Sequence, residues 1–156
     1  MRITYKRPTF FSHFTFCLAL AGGAFFAWIK DVPQTIWRDD ASMMTSVIVA
    51  LLVFTAARLG TLAWQVDDYG KIHPKQWVED VDISFGHLAE RLSVMLGYVG
   101  TAIGLSLQAV ALSSGPASFG ALATSLFTTA IGGAAAIAIA LMTHNLEVGI
   151  GRCKNA

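Results

Sequence analysis

Charge is what this chain has least of. Lys and Arg number 11 and Asp and Glu 10 among 156 residues, 13% of the total, for a net charge of +1. A water-soluble domain carries about a quarter charged residues, and so small and balanced a set gives no electrostatic footing for nucleic acid or an acidic substrate. Cysteine is limited to Cys17 and Cys153. One lies within the first apolar segment and the other in the C-terminal tail, too far apart to bridge, so a disulfide framework is excluded and no metal-ligand spacing is present. The scarcity is most extreme between Leu92 and Thr143, where no charged residue occurs at all.

What remains is apolar. Hydrophobic residues make up 54% of the chain, and the mean hydropathy is +0.57. Four segments, at about 10–29, 43–64, 93–112 and 119–143, are long enough to cross ~30 Å of hydrocarbon as helices of about 20 residues. Lipid offers no partner to an exposed peptide group, so spanning segments are helices or closed barrels, and none of the four alternates as a barrel strand does. The expected fold is therefore an all-α membrane protein, a single domain over 1–156 with four transmembrane helices. The first segment follows Arg2, Lys6 and Arg7; it superficially resembles a signal peptide but is long enough to be read as a retained span.

Lys and Arg placement sets the expected orientation. Arg2, Lys6 and Arg7 precede the first span, and Arg152 and Lys154 follow the fourth. Both termini and the segment 65–92 are expected in the cytoplasm, and 30–42 and the turn 113–118 outside. Within 65–92, His73-Pro74 reads as a helix start. Trp77, Val81, Phe85, Leu88 and Leu92 then recur at three- or four-residue spacing, which predicts a short amphipathic helix running continuously into the third span. Asp67, Asp68, Glu79, Asp80, Asp82 and Glu90 are expected on its solvated side. Arg58 is expected to snorkel to the inner interface, and His13 and His144 to be interfacial.

The last two spans carry polar residues where lipid alone would favour leucine. In the third, Gly97, Thr101, Gly104 and Gln108 fall on one helical face, with Gly100 beside them. In the fourth, Ala121, Ser125, Thr128 or Thr129, Gly132, Ala136 and Ala140 do the same, with Gly133 adjoining. One reading is tight helix packing, each threonine bonded back to its own helix. The other is a polar crevice that takes a proton or a group from another chain. Thr101, Thr128 and Thr129 are the candidate ion-pathway residues; Gly97, Gly100, Gly104, Gln108, Ser125, Gly132 and Gly133 are candidates for packing against a partner helix or a second subunit. A hydroxyl can pass a proton but cannot store one near neutral pH. A conducting role therefore requires a carboxylate from a different polypeptide. No Ser/His, paired-carboxylate or metal arrangement lies at membrane depth, so the chain is not expected to be an enzyme or to hold a metal or cofactor.

Together these motifs resemble the MotA/TolQ/ExbB proton channel family. Gly97, Gly100, Thr101 and Gly104 match its G-x-x-G-T-x-x-G pattern in the third span, and Thr129, Ala130, Ile131 and Gly132 its T-A-I-G in the fourth, followed by small residues and Asn145. The resemblance covers roughly the C-terminal third. It departs from the family at Val94, where a proline is common, and at Thr124, where TolQ and ExbB carry glutamate. The four spans are similar to MotA, without room for a large cytoplasmic domain. The resemblance implies a minimal, divergent member in the bacterial inner membrane. It implies a homopentameric ring around two copies of a single-span partner (ExbD/TolR/MotB-like) whose membrane aspartate binds the transiting ion. The coupling ion would be a proton passing beside Thr101 and Thr129. A non-conducting scaffold sharing the packing motif is the alternative.

Overall fold

A computed structural model describes residues 8–30, 43–69, 82–112 and 119–154; the side chains of 8, 69, 111, 119–125 and 154 are not among those described. The described residues form four helices: α1 (Pro8–Ile29), α2 (Met44–Tyr69), α3 (Ser84–Leu112) and α4 (Phe119–Lys154). Each is long and apolar enough to cross a membrane. The coarse expectation of an all-helical membrane protein with four spans therefore stands. At ~1.5 Å per residue, the 36 residues of α4 extend well past ~30 Å of hydrocarbon.

α4 is the hub, packing along α3 most extensively and touching α2 and α1 as well. Hydrocarbon is as apolar as leucine, so burying leucine gives little drive for helix association in lipid; close fit and hydrogen bonds decide it. The core has two tiers. Toward the α1 N-terminal end it is built of large apolar side chains, with Leu59, Ala63 and Val66 of α2 against Ala89 of α3 and Ile139, Met142, Leu146 and Ile150 of α4. Toward the other end it is built of small and hydroxylated residues: Thr45, Gly97, Gly100, Thr128 and Gly132 are buried there alongside Ile48. α1 packs only near its start. From Leu18 to Phe26 every residue is exposed.

Two expectations are corrected. The helix foreseen from Lys75 into the third span is interrupted, because Asp82 and Ile83 are not helical. Asp82 Oδ1 instead accepts the Ser84 N–H at 2.9 Å and starts α3 there. That bond, together with one from the Ser84 hydroxyl and the charge of Arg58, holds the Asp82 carboxyl below its ordinary pKa. The apolar stripe also turns differently. Leu88 and Leu92 are exposed, and Gly86, Ala89 and Ser93 face inward, because α4 approaches too closely for a leucine.

The second correction concerns Asp67, which is buried rather than solvated. Its Oδ2 accepts the Phe10 N–H at 2.8 Å, placing a carboxylate from the end of α2 on the free amides at the start of α1, where the helix dipole favours it. His13 is buried within the bundle. Its Nε2–H donates to Ala56 O at 3.0 Å, and its ring lies against Gly60, where an added Cβ would stand 3.1 Å from Nε2. His144 is exposed, with Nδ1 3.6 Å from Glu147 Oε2. The expected turn 113–118, the segment 70–81 and all of the expected outer loop 30–42 except Lys30 lie outside the described residues.

Candidate functional site: paired hydroxyls between α3 and α4

The two polar stripes read from the sequence face each other. Gly97 and Gly132 make this possible. A Cβ on Gly132 would stand 2.7 Å from Ser93 O and 2.9 Å from Gly97 Cα; one on Gly97 would stand 3.3 Å from Gly132 Cα and from Thr128 O. These are backbone atoms, so they cannot swing aside. Only glycine at 132 lets the helices sit this close. Gly100 is the third contact, since a Cβ there would run into the Thr128 methyl and come 3.0 Å from Met44 Cβ.

At this point of closest approach the Thr101 and Thr129 hydroxyls hydrogen-bond each other across the helix pair. Thr101 Oγ1 lies 3.1 Å from Gly97 O and Thr129 Oγ1 lies 3.4 Å from the same carbonyl. The three oxygens form a triangle with two protons to share. Either Thr101 donates to Gly97 O and Thr129 donates to Thr101, or Thr101 donates to Thr129 and Thr129 donates to Gly97 O. The two arrangements use the same heavy-atom positions, so a proton can change partner without a side chain moving. The pair lies roughly 15 Å from the ends of α3 and α4 at Leu112 and Phe119, about half a hydrocarbon thickness.

The other predicted residues divide around this pair. Thr128 is buried and Thr129 half-buried, so the deeper threonine packs against α3 at Gly100 while its neighbour bonds Thr101. Gly104 and Gln108 continue the α3 face beyond the pair, both half-buried. Gly133 differs from Gly132: a Cβ there meets nothing within 4 Å among the described residues. The backbone of Ser125 is helical, and its side chain lies outside the described ones.

Sequence reasoning missed a second set of hydroxyls. Thr55 of α2 and Thr143 of α4 are buried with no hydrogen-bond partner for either Oγ1 among the described residues, and Thr143 lies hard against Gly86 of α3. Ser93 is also buried, its hydroxyl donating to Ala89 O at 2.9 Å. Gly86 three residues before Ala89 and seven before Ser93 was the available signal. Beyond them, at the ends of α3 and α4, His87 Nε2 lies 3.1 Å from Glu147 Oε1. Among the described residues, no group of three or more His, Cys, Asp or Glu is placed to hold a metal ion.

Compared with protein-family models, curated proteins and solved structures, the chain matches none of them.

Proposed function

We propose that this chain is the ion-conducting subunit of a rotary motor driven by the proton-motive force. It forms a homopentamer in the bacterial inner membrane, with both termini in the cytoplasm. It surrounds two copies of a single-span partner whose membrane aspartate binds the transiting proton. The observation that carries this reading is the Thr101–Thr129 hydroxyl pair at mid-depth. It stands on the two spans whose motifs resemble the MotA/TolQ/ExbB proton channel family, in a stretch with no charged residue of its own.

The chemistry divides between the chains. The partner's carboxylate stores the proton, and this chain supplies neutral groups that accept and donate without trapping it. The Thr101–Thr129–Gly97 triangle offers a proton two alternative hydrogen-bonding arrangements. Gly97 and Gly132 hold the helices close enough for the triangle to exist. Thr143 and Thr55 supply further hydroxyls toward the α1 N-terminal end whose hydrogen bonds are not taken up among the described residues.

One observation favours the scaffold reading. Thr101 also bonds back to its own helix at Gly97 O, as a purely structural threonine does. The two readings part at Thr129→Val, which keeps the side-chain volume and removes the hydroxyl. An interhelical hydrogen bond in a membrane is worth ~0.6 kcal/mol on average and at most about 1.7, so the assembly should survive the change. With the complex in proteoliposomes under an imposed pH gradient, the conducting reading expects proton flux to fall by about tenfold or more, the effect of ~1.4 kcal/mol on a barrier. Undiminished flux with an intact assembly would remove the threonines from the pathway and leave packing as their role.

A further inference from the structure

A half-open cavity of about 210 Å³ lies between α1 and α4 near the start of α1, lined by Ser12, His13, Phe16, Leu141, Met142 and Asn145. It is remote from the threonine pair. Thr129 precedes Asn145 by 16 residues of α4, about 24 Å along the helix. We propose that this cavity holds the glycerol-ester region of an anionic phospholipid from the leaflet at the α1 N-terminal end. The proposal rests on membrane insertion and not on the motor reading.

Polarity along the cavity runs in one direction on both walls. The helices are antiparallel here, since Asn145 Nδ2 donates to Thr9 O at 3.0 Å while Phe16, further along α1, shares the cavity with Leu141, earlier in α4. Phe16 and Leu141 thus lie about one turn deeper than Ser12 and Asn145. Two turns past Asn145 on the same face comes Arg152, which is exposed. From membrane to surface the order is apolar, neutral hydrogen-bonding, cationic. An anionic phospholipid has the same order: acyl chain, ester, phosphate.

The polar groups also have the matching sense. Ester and phosphate oxygens only accept hydrogen bonds. Ser12 offers its hydroxyl proton, and Asn145 retains a second amide proton beyond the one given to Thr9 O. Nearby carboxylates are turned elsewhere: Asp67 accepts the Phe10 N–H, and Glu147 faces His87 and His144. The volume argues against a protein occupant, because a helix is 10–12 Å across with its side chains and does not fit such a space.

The test is native mass spectrometry of delipidated protein in mild detergent, titrated with phosphatidylglycerol or with phosphatidylcholine of the same acyl chains. Wild type should retain phosphatidylglycerol about tenfold more strongly, a difference of ~1.4 kcal/mol. Arg152→Gln should erase the preference while leaving weak binding of both lipids. Leu141→Trp, which fills the cavity from an exposed rim position, should abolish the retained lipid with the melting temperature unchanged. Ser12→Leu, also at an exposed position, should weaken retention and guards against a folding defect in the tryptophan variant. Equal retention of both lipids by wild type overturns the proposal, as does full retention by Leu141→Trp. Loss of a co-purifying polypeptide from Leu141→Trp, with lipid binding unchanged, also overturns it and marks the cavity as a partner's seat.

Discussion

Threonine does three different things in this chain, and a change to valine separates them. Thr101 and Thr129 spend their hydroxyls on each other and on Gly97 O. Thr128 is buried with its methyl against Gly100. Thr143 and Thr55 are buried with hydroxyls that bond nothing among the described residues. An unsatisfied buried polar group costs about 1–3 kcal/mol, so Thr143→Val and Thr55→Val should raise the melting temperature of the purified protein. Thr129→Val, which breaks a made bond, should lower it slightly. A drop of the same size in all three would show that the Thr143 and Thr55 hydroxyls are bonded in the assembled protein. The sequence could rank these threonines only by position. The pair at 101 and 129 was legible because motif and helical spacing put both on facing stripes. Asp67 was misread because its partner, the Phe10 amide, is 57 residues away.

At the scale of elements, the close contact of α3 with α4 rests on backbone rather than on side chains. Four glycines of these helices illustrate how finely this is set. Gly132 faces backbone at 2.7 Å and 2.9 Å, Gly97 faces it at 3.3 Å, Gly100 meets the Thr128 methyl, and Gly133 meets nothing within 4 Å among the described residues. Gly132→Ala should therefore force the helices apart and break the Thr101–Thr129 bond, costing on the order of 1–3 kcal/mol as overpacking does. Gly133→Ala should leave the isolated subunit unchanged or slightly more stable, since alanine is the better helix former by about 1 kcal/mol. Thermal unfolding of the two variants in detergent checks this, and equal destabilisation would contradict the described packing. The sequence marked both glycines alike; adjacent helical residues point about 100° apart, and only the position of α3 decides which one matters. Helix existence and order were legible from hydropathy. The start of α3 at Ser84 was not, because the apolar spacing of Trp77, Val81 and Phe85 runs straight past Asp82 and Ile83 and the cap is a single side chain.

As a whole molecule, the chain leaves much apolar surface uncovered among its described residues. Most of α1 beyond its first turns is exposed, and Ile137 and Leu141 of α4, the hub helix, are also exposed. Lipid tolerates such surfaces, and so do neighbouring subunits. On the proposed reading, the Thr101–Thr129 pair faces a carboxylate-bearing helix at the centre of a ring. The most direct measurement is native mass spectrometry of the complex purified after co-expression with a single-span partner bearing a membrane aspartate. Five copies of this chain with two of the partner is the expected mass. A partner-free assembly, or any other subunit ratio, would contradict the motor reading and leave Thr101 and Thr129 as packing residues.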